Sequence, residues 1–115
     1  MQSVRGKAER KRHRRKYAEG ELEPERVFYF RGSQGKLNLR AQNLSTFLQL
    51  AAGVDDETWL FHLHRGDYSK WLSLAIKDTD LGEQVRHIEE DHSLSAVRSR
   101  EEIAKAIEAK YTAPA

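Results

Sequence analysis

The sequence predicts an α+β domain, mostly α, in which a short N-terminal aromatic strand or hairpin is followed by about five short helices. Three observations carry this. Val27-Phe-Tyr-Phe30 has strand composition and is followed by the turn cluster Gly32-Ser-Gln-Gly35. From Ala41 onward the apolar residues recur at helical spacing, punctuated by Gly and Asp. Ahead of Val27 the apolar residues Val4, Tyr17 and Leu22 are too sparse to make a face.

Each element follows in order. Residues 1–26 read as a basic, then acidic, linker or tail closed by Pro24, and residues 27–115 as one compact domain. Part of the linker also suits a solvated helix, through i,i+4 pairing between its two charge blocks. Lys36-Leu-Asn-Leu39 alternates and suits a returning strand, although Asn38 equally suits a helix cap. Ala41, Leu44, Phe47, Leu48 and Ala51 make one helical face, with Gly53 as its stop. Asp55 or Asp56 caps a short helix bearing Trp59, Leu60 and Leu63 that ends at Gly66. Asp67 stands where an N-cap belongs, ahead of Trp71, Leu72, Ala75 and Ile76. Asp78 or Thr79 opens the next helix, with Leu81, Val85 and Ile88 inward. Ser99-Arg-Glu-Glu102 reads as a capping box before Ile103, Ile107 and Tyr111. A lone hairpin is marginal in water, so Phe28 and Phe30 must pack on helices, against Phe47 and the Trp59/Trp71 pair.

Composition sets limits on function. The 115-residue chain has no cysteine, which excludes disulfides and thiol catalysis and fits a reducing, cytoplasmic setting. No apolar run approaches the roughly 18 residues of a membrane span, and no secretory h-region follows the basic N-terminus. Between Arg5 and Lys16 stand eight Arg and Lys against Glu9, a net charge of +7; since the whole chain carries +2, the remainder carries −5. It is an acidic domain behind a basic arm.

The densest chemistry lies in Trp59-Leu-Phe-His-Leu-His-Arg-Gly-Asp-Tyr-Ser-Lys-Trp71. His62 and His64 point about 200° apart on a helix and cannot chelate together, and His87 and His92 lack a metal-binding spacing, so no metal or cofactor is expected. His62, Asp67 and Tyr68 suit an acid–base group if the Gly66 turn folds them together, or else a helix cap and a hydrogen bond across the turn. There is no nucleophile elbow, and Gly32-x-x-Gly35 lacks the Lys-Ser/Thr of a phosphate loop. Arg31, Asn38, Arg40, Gln42 and Asn43 suit an anion or sugar pocket, or turn and cap positions. The arm, residues 5–16, suits nucleic acid, although the acidic body repels a polyanion.

The runs Phe28-Tyr-Phe-Arg-Gly-Ser-Gln-Gly-Lys-Leu-Asn-Leu-Arg-Ala-Gln-Asn-Leu44, Gly53-Val-Asp-Asp-Glu-Thr-Trp59, His62-Leu-His-Arg-Gly-Asp-Tyr-Ser-Lys-Trp71 and Ile76-Lys-Asp78 resemble a bacterial accessory domain. That domain lies C-terminal to haloacid-dehalogenase-type phosphatases of the Cof and sugar-phosphatase kind. The resemblance continues through Glu101-Glu-Ile103 and Tyr111-Thr-Ala-Pro-Ala115, and so covers most of residues 17–115. More distantly, the pattern is similar to a small module of other prokaryotic proteins. The chain lacks the Asp-x-Asp-x-Thr/Val nucleophile strand and the Lys and paired acidic residues of such phosphatases, so their chemistry transfers to no residue here. The resemblance implies a non-enzymatic accessory or regulatory domain, whose partner is the hydrolase domain in cis or in trans. Residues 1–26 then join the two. The expected partner surface is His62, Arg65, Asp67, Tyr68 and Trp71, with Arg31 and Arg40 as anion contacts. The alternatives are a sensor for a sugar phosphate or nucleotide, and a nucleic-acid binder acting through the arm.

Overall fold

The computed structural model describes residues 13–35 and 37–112. A helix, α1, covers residues 13–19. A single 3-10 turn at Pro24–Arg26 leads into β1 (Phe28–Phe30), which pairs antiparallel with β2 (Leu39–Ala41). Five helices follow: α2 (Leu44–Gly53), α3 (Asp56–Arg65), α4 (Asp67–Leu74), α5 (Thr79–Glu90) and α6 (Ala96–Ile107), the last running into a π turn at Glu108–Thr112. The mostly helical α+β class is therefore the one the sequence predicts. No helix among the described residues is long and apolar enough to cross a membrane.

The hairpin register is Phe28↔Ala41, Tyr29↔Arg40 and Phe30↔Leu39. The returning strand thus starts at Leu39, later than the alternation at Lys36–Leu39 suggests, because Leu37 and Asn38 still belong to a loop closed by the Leu37 N–H on the Arg31 carbonyl. Alternation along β1 sends Phe28 and Phe30 into the core and Tyr29 outward. The core is aromatic. Phe28 meets Phe47 and Trp71 with ring centroids 5.5 Å apart, Phe30 stacks on Phe47 at 5.4 Å, and Tyr68 stacks on Trp59 at 4.3 Å. Burial of each such ring is worth about 2–3 kcal/mol, provided its polar tip is satisfied. Those tips are satisfied: Trp59 Nε1–H donates to Ser99 Oγ (2.9 Å), Trp71 Nε1–H to the Arg26 carbonyl (2.8 Å) and the Tyr68 hydroxyl to the Trp59 carbonyl (2.9 Å).

Four helices carry a side-chain cap, and those at Asp55 and Asp78 are the expected ones. Asn43, Asp55, Asp78 and Ser95 each accept from the backbone N–H three residues on, at Thr46, Thr58, Leu81 and Arg98. Two expectations are corrected. Ser99 opens no helix: it is buried in α6, donates to the Ala96 carbonyl and receives the Trp59 indole N–H. Nor is Asp67 the cap of α4. Gly66 holds that position at φ 71°, in the left-handed region, and at once closes α3 with its N–H on the Leu63 carbonyl. With no cap of its own, α4 borrows one from α5, where Glu89 Oε2 accepts from the Ser69 N–H at 3.0 Å.

The boundary at residue 26 also moves. Tyr17, Ala18 and Leu22 are buried in the same core as the helices. Asn43 Nδ2 donates to the Gly20 carbonyl (2.8 Å) and the Leu22 N–H to the Gln42 carbonyl (2.9 Å). Residues 13–26 therefore belong to the folded body, because a few well-placed apolar side chains suffice where most of a helix stays solvated. Residues 1–12 lie outside the described ones.

Candidate functional site

The α3–α4 corner brings His62 and Asp67 together. His62 is on the inward face of α3, and the Gly66 turn swings Asp67, the first residue of α4, back toward it. His62 Nδ1 lies 2.8 Å from Asp67 Oδ2. On the other side of the ring, His62 Nε2 is met by the Arg31 N–H (3.1 Å) and the Gly32 N–H (3.3 Å). A nitrogen that accepts two N–H bonds carries no proton, so the proton sits on Nδ1 and is donated to Asp67. The imidazole is 6% exposed and both nitrogens are occupied.

That geometry defines what the pair can do. A general base needs a free lone pair within reach of substrate. Here the lone pair holds the start of the hairpin loop to α3, and Asp67 orients the ring that does so. The pair is a strut between the β1 end and the α3–α4 turn.

The remaining predicted site residues separate by exposure. Tyr68 is fully buried, and burial pushes its hydroxyl well above the ordinary phenol range. Trp71 is buried as well. The expectation that His62, Tyr68 and Trp71 form a partner surface is corrected on this ground, since packing rings 5.4–5.5 Å from Phe28 hold all three in the core. Arg31, Arg40 and Arg65 are exposed, and Asp67 is half-buried. Arg65 Nε lies 3.4 Å from Asp67 Oδ2, so one carboxylate serves both His62 and Arg65.

Two aromatic residues that the sequence analysis did not single out complete the exposed group. The Arg31 guanidinium lies 4.4 Å over the Tyr29 ring, and that of Arg65 lies 5.0 Å over Phe61. For Phe61 and Arg65 the spacing was a usable signal, since i,i+4 on a helix places residues on one face, whereas Arg31 lies just past the end of β1. Arg40 is the cross-strand partner of Tyr29. Among the described residues neither Arg31 nor Arg40 meets a carboxylate within 4.0 Å, whereas Arg86, Arg98 and Arg100 all do. Asn38 is exposed beside them, while Asn43 is spent capping α2.

A separate apolar groove of about 350 Å³ runs between α2 and α6, lined by Leu48, Ala51, Ala52, Val97 and Ala104 with Arg100 at its edge. It holds none of the predicted site residues. Of the arm, Arg15 and Lys16 are exposed on α1, and residues 5–12 lie outside the described ones. Comparison with protein-family models, curated proteins and solved structures finds no match.

Proposed function

We propose that this chain is a non-catalytic accessory domain that docks on or regulates a hydrolase domain of the haloacid-dehalogenase phosphatase type, in cis or in trans. One observation carries the reading: the only His–Asp pair in the sequence's densest cluster is spent on backbone N–H groups, while the arginines around it face outward. Such an arrangement suits recognition. Guanidiniums held over the Tyr29 and Phe61 rings are presented with less rotamer freedom to lose on binding. A small phosphate ligand on this solvent-facing side of a two-stranded hairpin would keep most of its surface in water, so a protein partner fits better than a metabolite.

The test pairs the chain with a phosphatase-type hydrolase domain encoded beside it or fused to it, and follows binding by calorimetry. Arg31→Glu with Arg40→Glu is expected to weaken binding by about tenfold or more, mainly through slower association, with the melting temperature unchanged. Equal binding by this variant would sink the surface assignment. A saturable change in tryptophan fluorescence with a sugar phosphate would favour the sensor reading over docking.

A further inference from the structure

The outer edge of β2 is open. In the hairpin register, Phe28 faces Ala41 and Phe30 faces Leu39, with Tyr29 and Arg40 between them. If Tyr29 and Arg40 were the hydrogen-bonded pair, the ladder would also need the Val27 N–H on Gln42 and the Asn38 N–H on Arg31. Instead the Val27 N–H bonds the Pro24 carbonyl, and the Arg31 carbonyl takes the Leu37 N–H. The ladder bonds therefore run through Phe28, Phe30, Leu39 and Ala41, and the Arg40 N–H and carbonyl point away from β1. Among the described residues neither group has a partner.

A short stretch of the chain already lies along this edge. The Leu22 N–H bonds the Gln42 carbonyl at 2.9 Å, and Asn43 holds the Gly20 carbonyl. Running antiparallel to β2, this stretch brings residue 24 next in line, level with Arg40. That residue is Pro24, which has no N–H to give, and there the chain turns away into its 3-10 turn. The edge is left open from Asn38 to Arg40, all three residues being exposed. On the other side of the hairpin, β1 runs against α3, where Arg31 and Gly32 give their N–H groups to His62.

We propose that β2 accepts an extended acidic segment of the partner as a third strand. Main-chain bonds to Arg40 hold the segment, and its side chains alternate between the two faces of the sheet. The outward face carries Arg40, which pairs with no carboxylate among the described residues, unlike Arg86 and Arg98. The residue opposite it is therefore Asp or Glu, and Arg31 on the neighbouring strand adds to the positive field. The inward face carries Leu39, 38% exposed, so the adjoining residues of the segment are apolar. A second copy of β2 fits this edge badly, because antiparallel self-pairing brings Arg40 close to its own copy. The proposal rests on the docking reading above for one point, that the segment belongs to the hydrolase domain.

Amide exchange on the full chain, read by NMR, tests the edge with two heptapeptides, one alternating Glu and Val and the other alternating Lys and Val. Each is used at about 5 mM, since so short an edge holds a strand only weakly. The Glu peptide should slow exchange of the Arg40 amide about threefold or more, while the amides of Leu39 and Ala41, already bonded to β1, hold. The Lys peptide should leave Arg40 unchanged, and Arg40→Glu should reverse the preference. An Arg40 amide unmoved by the Glu peptide, or protected equally by both, overturns the proposal. So does self-association that itself protects Arg40, which would make a second copy the occupant. In complex with the hydrolase domain the same amide should be protected. Binding that leaves Arg40 exchange unchanged overturns strand addition while the docking reading stands. No binding, with the peptide effect intact, overturns the hydrolase as partner.

Discussion

Removing the His62 imidazole strands two backbone donors at once, the N–H groups of Arg31 and Gly32, and leaves the Asp67 carboxylate with Arg65 alone. Unmade hydrogen bonds at a buried site cost far more than made ones contribute. His62→Ala should therefore destabilise the domain by about 3 kcal/mol, read as a lower urea midpoint with little change in slope. Asp67→Asn, which keeps an acceptor for Nδ1–H, should cost about 1 kcal/mol. If His62→Ala unfolds at the wild-type midpoint, the strut is not structural and its nitrogens are open to another role. At this scale the sequence showed which residues meet but not how they divide the work. Density around Gly66 pointed to His62, Asp67 and Tyr68. Which of them faces inward depends on the turn angle at Gly66 and on the hairpin arriving from residues far behind in the chain, and no local pattern encodes either.

The helices themselves were legible wherever a side chain near the helix start both caps and punctuates, as at Asp55 and Asp78. They were misread where the cap is tertiary or the pattern is borrowed. Ser99 and Glu102 have capping-box spacing, but the real cap, Ser95, has Arg98 rather than an acid at the box position. Helix α1 was open only as a solvated helix of a linker, because Tyr17 and Ala18, with Leu22 just beyond its end, give it too little apolar surface to show a period. The α4–α5 crossing is another tertiary feature, and it hinges on Gly82. A Cβ built there would strike the Ser73 hydroxyl and lie 3.1 Å from the Ser69 carbonyl oxygen. The extensive contact between these two helices is thus possible only without a side chain at that point. Gly82→Ala should cost about 2 kcal/mol despite the better helix propensity of alanine, because the helices must part. Adding Ser73→Ala should recover part of the loss, since it removes the hydroxyl but leaves the carbonyl. Thermal melts of the single and double variants measure the coupling, and a stabilised Gly82→Ala would mean the crossing is loose.

For the molecule as a whole, the buried tyrosines set a limit on the alkaline side. Tyr68 lies at the centre of the aromatic core and Tyr111 under α1, and both are buried. Desolvation pushes Tyr68 well above the ordinary phenol range; Arg100 opposes this and Asp67 and Glu89 reinforce it. Tyr111 is raised by burial and then by the hydrogen bond it gives to Asp78. Because the folded values lie above the unfolded ones, the tyrosines contribute their full stability below about pH 10 and lose it as pH rises toward the folded values. Each proton kept by the fold but shed by the unfolded chain costs up to about 1.4 kcal/mol per pH unit, so two tyrosines remove about 3 kcal/mol between about pH 10 and 11.5. That is a large share of the roughly 5–15 kcal/mol that holds a domain of this size together. Ionisation of Tyr68 should therefore appear in the ultraviolet only as the helical circular-dichroism signal collapses, in one cooperative step. Tyr68→Phe should roughly halve the slope of stability against pH above about pH 10, while costing about 1 kcal/mol at neutral pH for the lost hydrogen bond to the Trp59 carbonyl. Smooth ionisation of every tyrosine ahead of helix loss would mean that the aromatic core admits water at Tyr68, and the burial of its hydroxyl would then not be what holds the fold closed.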